Sequence, residues 1–510
     1  MVTVTDRGGH RPAGEGGTTR SKLQKIRGIQ GLATGVGVFV VGVVASIVGT
    51  AGVALWFDES ATIAASARPL GKIFELTRSV DAVHAAYYIF MHFWIDVFGA
   101  GPLSVRMPSA LAVGLVGFAV VRFGTTVVDQ RFGATAGLMT VLLPRVVWAG
   151  SEARQFGLSA LLAVLLVWAV WSAWDRRDWR SWAAVGIVVA VSGYVFLFSV
   201  LLLPALIIAS FVLRRSPWTT TLSLGLGAAP VIALVLVAAP QTGQVSWIRE
   251  PSKAQLLKDV LVTQWFEGQD KPLGWYPPPW AEPAAIVLLA FVAALGAVAF
   301  FGARRYVNEM RLVVVAVLWA CVPTVLLVGI SIVATPLYVP RYLTFTAPSI
   351  GLLAALGARQ LYSRAVVHAS ALVLVGATLL VPQLYMKDFT PRGADFKKVA
   401  AAVGEARAFW SDRIVFKNDQ ARAIGAAYPE PFVGSSDVLL VEGPADSNTL
   451  FGRSAEVAIL GRVGRERVIF VGDHQGLDGV AYRELVKSCV AQEYPRGYGR
   501  IVLFDCRTGR

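Results

Sequence analysis

Apolar runs long enough to span a bilayer recur through the first three quarters of the chain, separated by short polar stretches. A spanning helix needs about 20 consecutive apolar residues. On that measure spans are predicted near 32–55, 104–122, 133–150, 157–174, 182–197, 198–213, 219–240, 283–302, 312–334, 343–358 and 366–384. The fifth and sixth are short and joined tightly between Gly193 and Ser199, which suits re-entrant or tilted segments. From about Asp388 the pattern changes. Asp395 to Phe409 reads as an amphipathic helix, and short apolar runs at Arg413–Phe416, Val438–Val441, Arg467–Val471 and Arg500–Phe504 alternate with helical patterns. This predicts a small α/β domain with a largely parallel sheet. It contains no G-x-G-x-x-G fingerprint and no P-loop, so nucleotide binding there has no support. The expected organisation is a polar, Gly-rich, disordered N-terminus, 1–30, a polytopic α-helical membrane domain of about 11 spans, 31–386, and a C-terminal α/β domain, 387–510.

The arginines give this pattern a direction. Arg122 and Arg131, then Arg176, Arg177 and Arg180, then Arg214 and Arg215, then Arg304, Arg305 and Arg311, then Arg359 and Arg364 follow the even-numbered spans. Arg20, Lys22, Lys25 and Arg27 precede the first. Basic residues concentrate on the cytoplasmic side. The N-terminus is therefore expected in the cytoplasm and the C-terminal domain outside, in a multi-pass protein of the plasma membrane. The outer side then receives loop 56–103, residues 151–156, the long loop 241–282 and the short loop 335–342. Composition agrees: hydrophobic residues make up 55% of the chain and mean hydropathy is +0.58. The net charge of +14 follows from the topology and does not call for nucleic acid.

Candidate chemistry lies along the outer rim. The first span ends in Leu55-Trp56-Phe57-Asp58-Glu59-Ser60. A carboxylate at the edge of a bilayer is poorly solvated, which suits a general base; the plainer account is that the pair marks where a span meets water. In loop 56–103, His84, Tyr88 and His92 recur every four residues and share a helical face. No third metal ligand accompanies the histidines, so an interfacial helix is the better reading. Glu152 and Arg154, at the outer end of the third span, are expensive there unless paired with each other or at work. Loop 241–282 carries Trp247, Trp265, Phe266, Trp275, Tyr276, Pro277 to Pro279 and Trp280, an interface anchor or a lid. Arg341 stands at the mouth of the tenth span, as a phosphate ligand or a snorkelling cation. Cys489 and Cys506 are both in the outer domain. A helix packed on its following strand could bring them within disulfide range; otherwise they are small buried thiols.

Taken in order, these landmarks resemble the polytopic GT-C glycosyltransferases, in particular bacterial family 39, whose relatives include protein O-mannosyltransferases and the aminoarabinose transferases that modify lipid A. The resemblance rests on Asp58-Glu59, then Asp81-Ala82-Val83-His84-Ala85-Ala86-Tyr87-Tyr88, then Arg106-Met107-Pro108-Ser109-Ala110, then Ser151-Glu152-Ala153-Arg154-Gln155-Phe156, and a late Pro340-Arg341-Tyr342. Family members usually carry two prolines after the histidine, where this chain has Ala85 and Ala86, and a glutamine where it has Ser151. These departures bear on the acceptor pocket.

The resemblance implies an enzyme that transfers a sugar from a polyprenyl-phosphate donor to a hydroxyl acceptor (glycolipid, polysaccharide or protein) on the outer face of the membrane, with inversion at the anomeric carbon. It implies Asp58 as general base, with Glu59 or Glu152 orienting the sugar or sharing charge. Arg154, Arg341 and His84 would face the leaving phosphate. Asp81, Tyr88, Arg106 and Tyr342 complete the expected substrate site. No cofactor and no metal is called for. High Ala, Gly, Val and Arg usage is what a GC-rich genome produces, and points to an actinobacterial envelope and to mannose or arabinose as the sugar. The alternative is a transporter or flippase for a lipid-linked saccharide, and a third reading is an inactive relative serving as a scaffold. Reporter fusions test the topology: junctions at Arg177 and at Gly476 should report opposite compartments, and the same compartment for both would break the span assignment.

Overall fold

The computed structural model describes residues 15–267, 281–361, 395–457, 460, 466–473, 476–497 and 499–507. The eleventh expected span, residues 1–14 and Trp275 to Trp280 fall outside them, and the first helix, Glu15–Ile47, begins within the stretch expected to be disordered. Among the described residues, five helices are long and apolar enough to cross a membrane: Gly31–Gly52, Pro102–Val127, Phe156–Arg176, Glu282–Ala303 and Val307–Val333. Two bent pairs have the length and composition of a span when each pair is taken as one, Gln130–Leu142 with Pro144–Gly150 at 67° and Pro217–Ala228 with Val231–Val245 at 49°. Each break sits at a proline, Pro144 or Pro230. Proline removes a helix donor and pushes the residue before it out of the helical region; Leu143 accordingly has φ −58° and ψ 132°. The fifth and sixth expected spans are short helices, Trp179–Val195 and Leu197–Val212. The tenth is the 14-residue helix Ala347–Gln360, nearly all buried.

Small residues let the first helix approach Pro102–Val127 closely. A Cβ on Gly114 would stand 2.7 Å from the Val43 side chain and 2.8 Å from Phe39. Such contacts replace the hydrophobic drive that lipid cannot supply between helices. Val36, Ile187, Leu226 and Val325 point outward from the bundle, as a lipid-facing surface requires. At the arginine-rich end, Arg359 pairs with Asp129 and with Glu309, tying three helices together.

Past Leu55 the chain builds an outer cap from three short helices, Phe57–Ser66, Leu70–Ser79 and Ala85–Phe98. The cap and the C-terminal domain share one apolar core. Leu55, Ile63, Ile73 and Tyr87 pack in the same cluster as Phe396, Val399, Ile424 and Ile469. In the C-terminal domain the helix Phe396–Arg407 precedes strands β1 (Arg413–Phe416), β2 (Ser436–Asp437), β3 (Leu440–Glu442), β4 (Arg453–Ser454), β5 (Arg467–Val471), β6 (Val490–Glu493) and β7 (Ile501–Asp505). The main sheet runs β2-β1-β5-β7-β6. β2 and β5 flank β1 in parallel, whereas β7 pairs with β5 and β6 in antiparallel fashion. The largely parallel sheet expected from the sequence is thus parallel only in its first half. The run at Val438–Val441 is mostly outside that sheet: β3 forms a separate two-stranded ribbon with β4. β6 left no apolar signature because all four of its residues are exposed.

Cys489 and Cys506 form a disulfide, with Cα atoms 4.2 Å apart. Strand pairing brings them together, not the helix-on-strand packing expected. Val490 registers with Asp505 at the ends of β6 and β7, and the cysteines are the next residues out. Closing a loop of this length stabilises by about 3 kcal/mol in the chain-entropy model. Cys321 is the free, exposed thiol. Alkylation of unreduced, denatured protein should therefore label Cys321 alone, and labelling of all three cysteines would remove the bond.

Candidate active site

The site is organised by the turn that ends the first helix. Trp56 is extended and leads into the helix Phe57–Ser66, with Asp58 and Glu59 in its first turn. Carboxylates are favoured there by the helix dipole. Glu59 reaches back to accept the Trp56 backbone N–H at 3.4 Å, in the manner of a capping box. Consecutive helical residues point about 100° apart, so the adjacent carboxylates face different surroundings.

Glu59 turns inward and is fully buried. Arg106 Nε donates to Glu59 Oε1 at 2.7 Å and Nη2 to Oε2 at 2.6 Å. Its other donors reach the carbonyl oxygens of Thr50 (2.8 Å), Val53 (3.0 Å) and Ala54 (3.1 Å). All five guanidinium N–H groups are thereby satisfied. The Ala153 N–H also donates to Glu59 Oε1, at 3.0 Å. Neither Glu59 nor Arg106 lines the cavity described below. The structure thus sets both apart from the cavity to which charge sharing and substrate binding were expected to bring them: the fork geometry of the pair closes a turn against the bundle. Glu152 is likewise buried behind the wall, where it accepts from Trp56 Nε1 at 2.9 Å.

Asp58 faces a cavity of about 530 Å³ between the membrane domain and the C-terminal domain. Arg154 Nη2 lies 3.5 Å from Asp58 Oδ1, and Arg341 Nη2 lies 3.8 Å from Oδ2. The Asp58 side chain retains 20% exposure, more than either arginine. Arg154 also donates to Tyr88 Oη at 3.4 Å, and Tyr88 Oη donates to Asp81 Oδ2 at 2.7 Å. A polar chain thus runs Asp81, Tyr88, Arg154, Asp58, Arg341. Asp81 adopts a left-handed backbone, φ 56°, which aims the 81–84 turn into the cavity. Burial pushes the Asp81 carboxyl up, with Arg154 opposing. Burial opposes the charged form of Arg154, but Asp58, Tyr88 and Asp81 outweigh it and hold the guanidinium above its ordinary value. His84 is pushed well below its ordinary value by burial and then by Arg154. It stays neutral near pH 7, so it can meet a phosphate as a hydrogen-bond partner but not as a cation. Its Nδ1 contacts Gln155 Nε2 at 2.6 Å. His92 Nδ1 contacts the Ser66 carbonyl instead, at 2.9 Å. Among the described residues no three His, Cys, Asp or Glu side chains converge on a metal position.

Of the ten expected residues, Asp58, Asp81, His84, Arg154, Arg341 and Tyr342 line the cavity, and Tyr88 supports it from behind. Sequence reasoning passed over several others. The Arg341 guanidinium lies over the rings of Trp247 at 5.2 Å, Tyr342 at 5.6 Å and Trp56 at 5.8 Å. Cation–π contacts of this kind hold a cation where it is poorly hydrated. Phe198 stacks on Tyr342 at 5.1 Å. The aromatic loop therefore enters the site through Trp247, while Trp265 is anchored to Thr346 Oγ1 at 3.0 Å. The C-terminal domain supplies a further wall, from Asp419 and Gln420 and from Thr449 to Gly452. No motif in the sequence marked it.

The Glu59–Arg106 pair generates a prediction about stability. Removing one partner of a buried pair leaves an uncompensated charge and costs about 3–5 kcal/mol. Glu59→Ala or Arg106→Ala should lower the thermal midpoint sharply, and the double variant Glu59→Leu/Arg106→Met should recover part of the loss. Equal losses in single and double variants would show that the pair does not act as a unit.

Residues 85–241 match the family described as dolichyl-phosphate-mannose-protein mannosyltransferase. No curated protein matches the sequence. Among solved structures, ArnT from Cupriavidus metallidurans in the apo state is similar with a TM-score of 0.58 at 14% identity, over 92% of this chain and 97% of that one. The same protein bound to undecaprenyl phosphate gives a TM-score of 0.56 at 14% identity, over 93% and 97%. At that identity the likeness is one of fold, and it extends through both domains. The family match covers Arg154, Phe156 and Phe196 to Phe198 of the cavity wall, and the chain is thus similar to the mannosyltransferase family over that segment and to ArnT in its fold.

Proposed function

We propose that the protein transfers a sugar, mannose or arabinose, from a polyprenyl-phosphate donor to a hydroxyl acceptor at the outer face of the plasma membrane, with Asp58 as general base. The observation that carries this reading is the position of Asp58 between two arginines, at the wall of a cavity where the membrane domain meets the C-terminal domain. The acceptor O–H gives its proton to an Asp58 carboxylate oxygen as the acceptor oxygen attacks the anomeric carbon. The bond from that carbon to the phosphate oxygen breaks, and its electron pair leaves with the polyprenyl phosphate. Attack opposite the leaving group inverts the anomeric centre. Arg154 and Arg341 stabilise the departing phosphate; electrostatic stabilisation of this kind is often the largest catalytic contribution. Trp56, Trp247 and Tyr342 hold Arg341 in place without neutralising it. His84, neutral, adds a hydrogen bond. The ArnT structure that holds undecaprenyl phosphate lends the donor class support.

A transporter for a lipid-linked saccharide is the second reading. Transporters place ionisable groups near the bilayer midplane, at the interface of repeated halves. Here the convergent charges gather at one end of the bundle, beside the soluble domain, which favours transfer. The orientation of that end to the outside rests on the arginine pattern.

Asp58→Asn tests the base. General-base catalysis contributes roughly 10²–10⁴-fold. Purified Asp58→Asn protein given a labelled polyprenyl-phosphate sugar should lose at least about a hundredfold in turnover, with an unchanged thermal midpoint. Near-normal transfer would take Asp58 out of the role, and translocation of the labelled lipid without transfer would favour the transporter.

A further inference from the structure

The C-terminal domain presents a particular edge to the cavity. In its parallel half, β1 ends at Phe416 and the chain turns through Lys417 and Asn418 into a short helix that begins at Asp419. Ligands of open α/β sheets bind outside the carboxyl ends of parallel strands. Asp419 and Gln420, at the carboxyl end of β1, line the same cavity as Asp58. Beside them, the Phe451 ring packs on Phe57 at 5.5 Å, one residue from Asp58.

This wall is held rigidly. Arg68, 4% exposed, donates through Nη2 to the carbonyl oxygens of Thr449 at 2.5 Å and Leu450 at 2.8 Å. Tyr428 Oη accepts the Leu55 N–H at 2.7 Å, directly before the Asp58 turn. Asp419 Oδ1 accepts from Arg422 Nη1 and from Ser454 Oγ, each at 2.6 Å. Asp437 fixes Arg422 in turn, at 2.5 Å. Asp419 Oδ2 and the Gln420 amide carry no hydrogen bond among the described residues. The wall therefore presents a fixed carboxylate and an amide, backed by the buried Phe451 ring.

We propose that Asp419 and Gln420 form the acceptor subsite, and that the acceptor they take is an uncharged sugar residue. The inference rests on the transferase reading of the cavity. A carboxylate oxygen and an amide at fixed positions match neighbouring sugar hydroxyls. The carboxylates at Asp58 and Asp419 disfavour an acceptor that is anionic at this point, since a like charge there is costly. The opposite wall carries Arg154 and Arg341, which suits the donor phosphate. An extended peptide would call for a free strand edge, yet no residue of a strand in the main sheet lines the cavity.

The test uses the full-length protein in nanodiscs with octyl α-mannoside and octyl arabinofuranoside as acceptor probes, a Ser/Thr peptide as competitor, and polyprenyl-phosphate mannose or arabinose as donor. Gln420→Ala and Asp419→Asn should each raise the acceptor KM roughly tenfold, as loss of a hydrogen bond at a binding site predicts, and leave the donor KM unchanged. An unchanged acceptor KM, an equal rise in donor KM, or use of the peptide with refusal of both glycosides would overturn the subsite. A parallel arm measures binding without turnover, as a thermal shift with each glycoside in the absence of donor. Saturable shifts in the wild type, weakened in both variants, support the subsite, and no shift in the wild type overturns it. No transfer by the wild type to any acceptor, with binding intact, would sink the transferase reading and leave the sugar-binding wall standing. Gln420 is exposed and carries no structural hydrogen bond among the described residues, so its variant keeps the test independent of folding.

Discussion

The structure depends on the pairing of Glu59 with Arg106 where the first helix ends. A guanidinium inside a protein at the rim of a membrane is costly unless every donor is used, and here every donor is. Three of its bonds go to carbonyl oxygens between Thr50 and Ala54, so the arginine stands in for hydrogen bonds that the helix lost at its end. Two go to Glu59, which also receives the Ala153 N–H. One ion pair therefore ties the end of the first helix, the start of the outer cap, the helix Pro102–Val127 and the rim of the next helical hairpin. Its value lies in fixing a geometry: with Glu59 turned inward, Asp58 on the same helical turn has to face the cavity.

Around that fixed carboxylate the two domains contribute different chemistry. The membrane domain brings Arg154 and an Arg341 caged by aromatic rings, which keep that charge accessible and poorly hydrated. The C-terminal domain brings acceptor oxygens, an amide and a phenyl ring. The two cannot be separated without opening an apolar core, since Leu55 and Ile63 share one cluster with Val399 and Ile469. The disulfide between Cys489 and Cys506 braces the far edge of the sheet, away from the cavity wall. The C-terminal domain is therefore part of the site.

Much of this was legible in the chain. Apolar runs of bilayer length have few alternatives in water, and five of the helices that cross by length and composition lie where those runs fall. Strands β1 and β5 could be read directly because they are buried on both faces and appear as continuous apolar runs. β6 could not, because an exposed edge strand carries no such pattern. The motifs also singled out Asp58, Asp81, His84, Arg154 and Arg341, since ionisable residues at a membrane rim persist only when paired or at work. Arg106, marked by the resemblance, and Glu152 lie behind the wall, Arg106 paired with Glu59 and Glu152 accepting from Trp56.

Sequence by itself determined the helical membrane body, the α/β character of the tail and the side of the membrane domain on which the polar chemistry gathers. Periodicity and charge are local properties, and they survive being read one residue at a time. Only the tertiary structure decided which of two adjacent carboxylates faces the cavity. Neighbours in sequence are equal in composition and hydropathy, and a rotation of about 100° along a helix separates them. It alone decided that Trp247, Asp419 and Gln420 stand in one cavity with Asp58. Asp58, Trp247 and the Asp419-Gln420 pair are each separated by well over a hundred positions in the chain, and nothing local to any of them records what it will face.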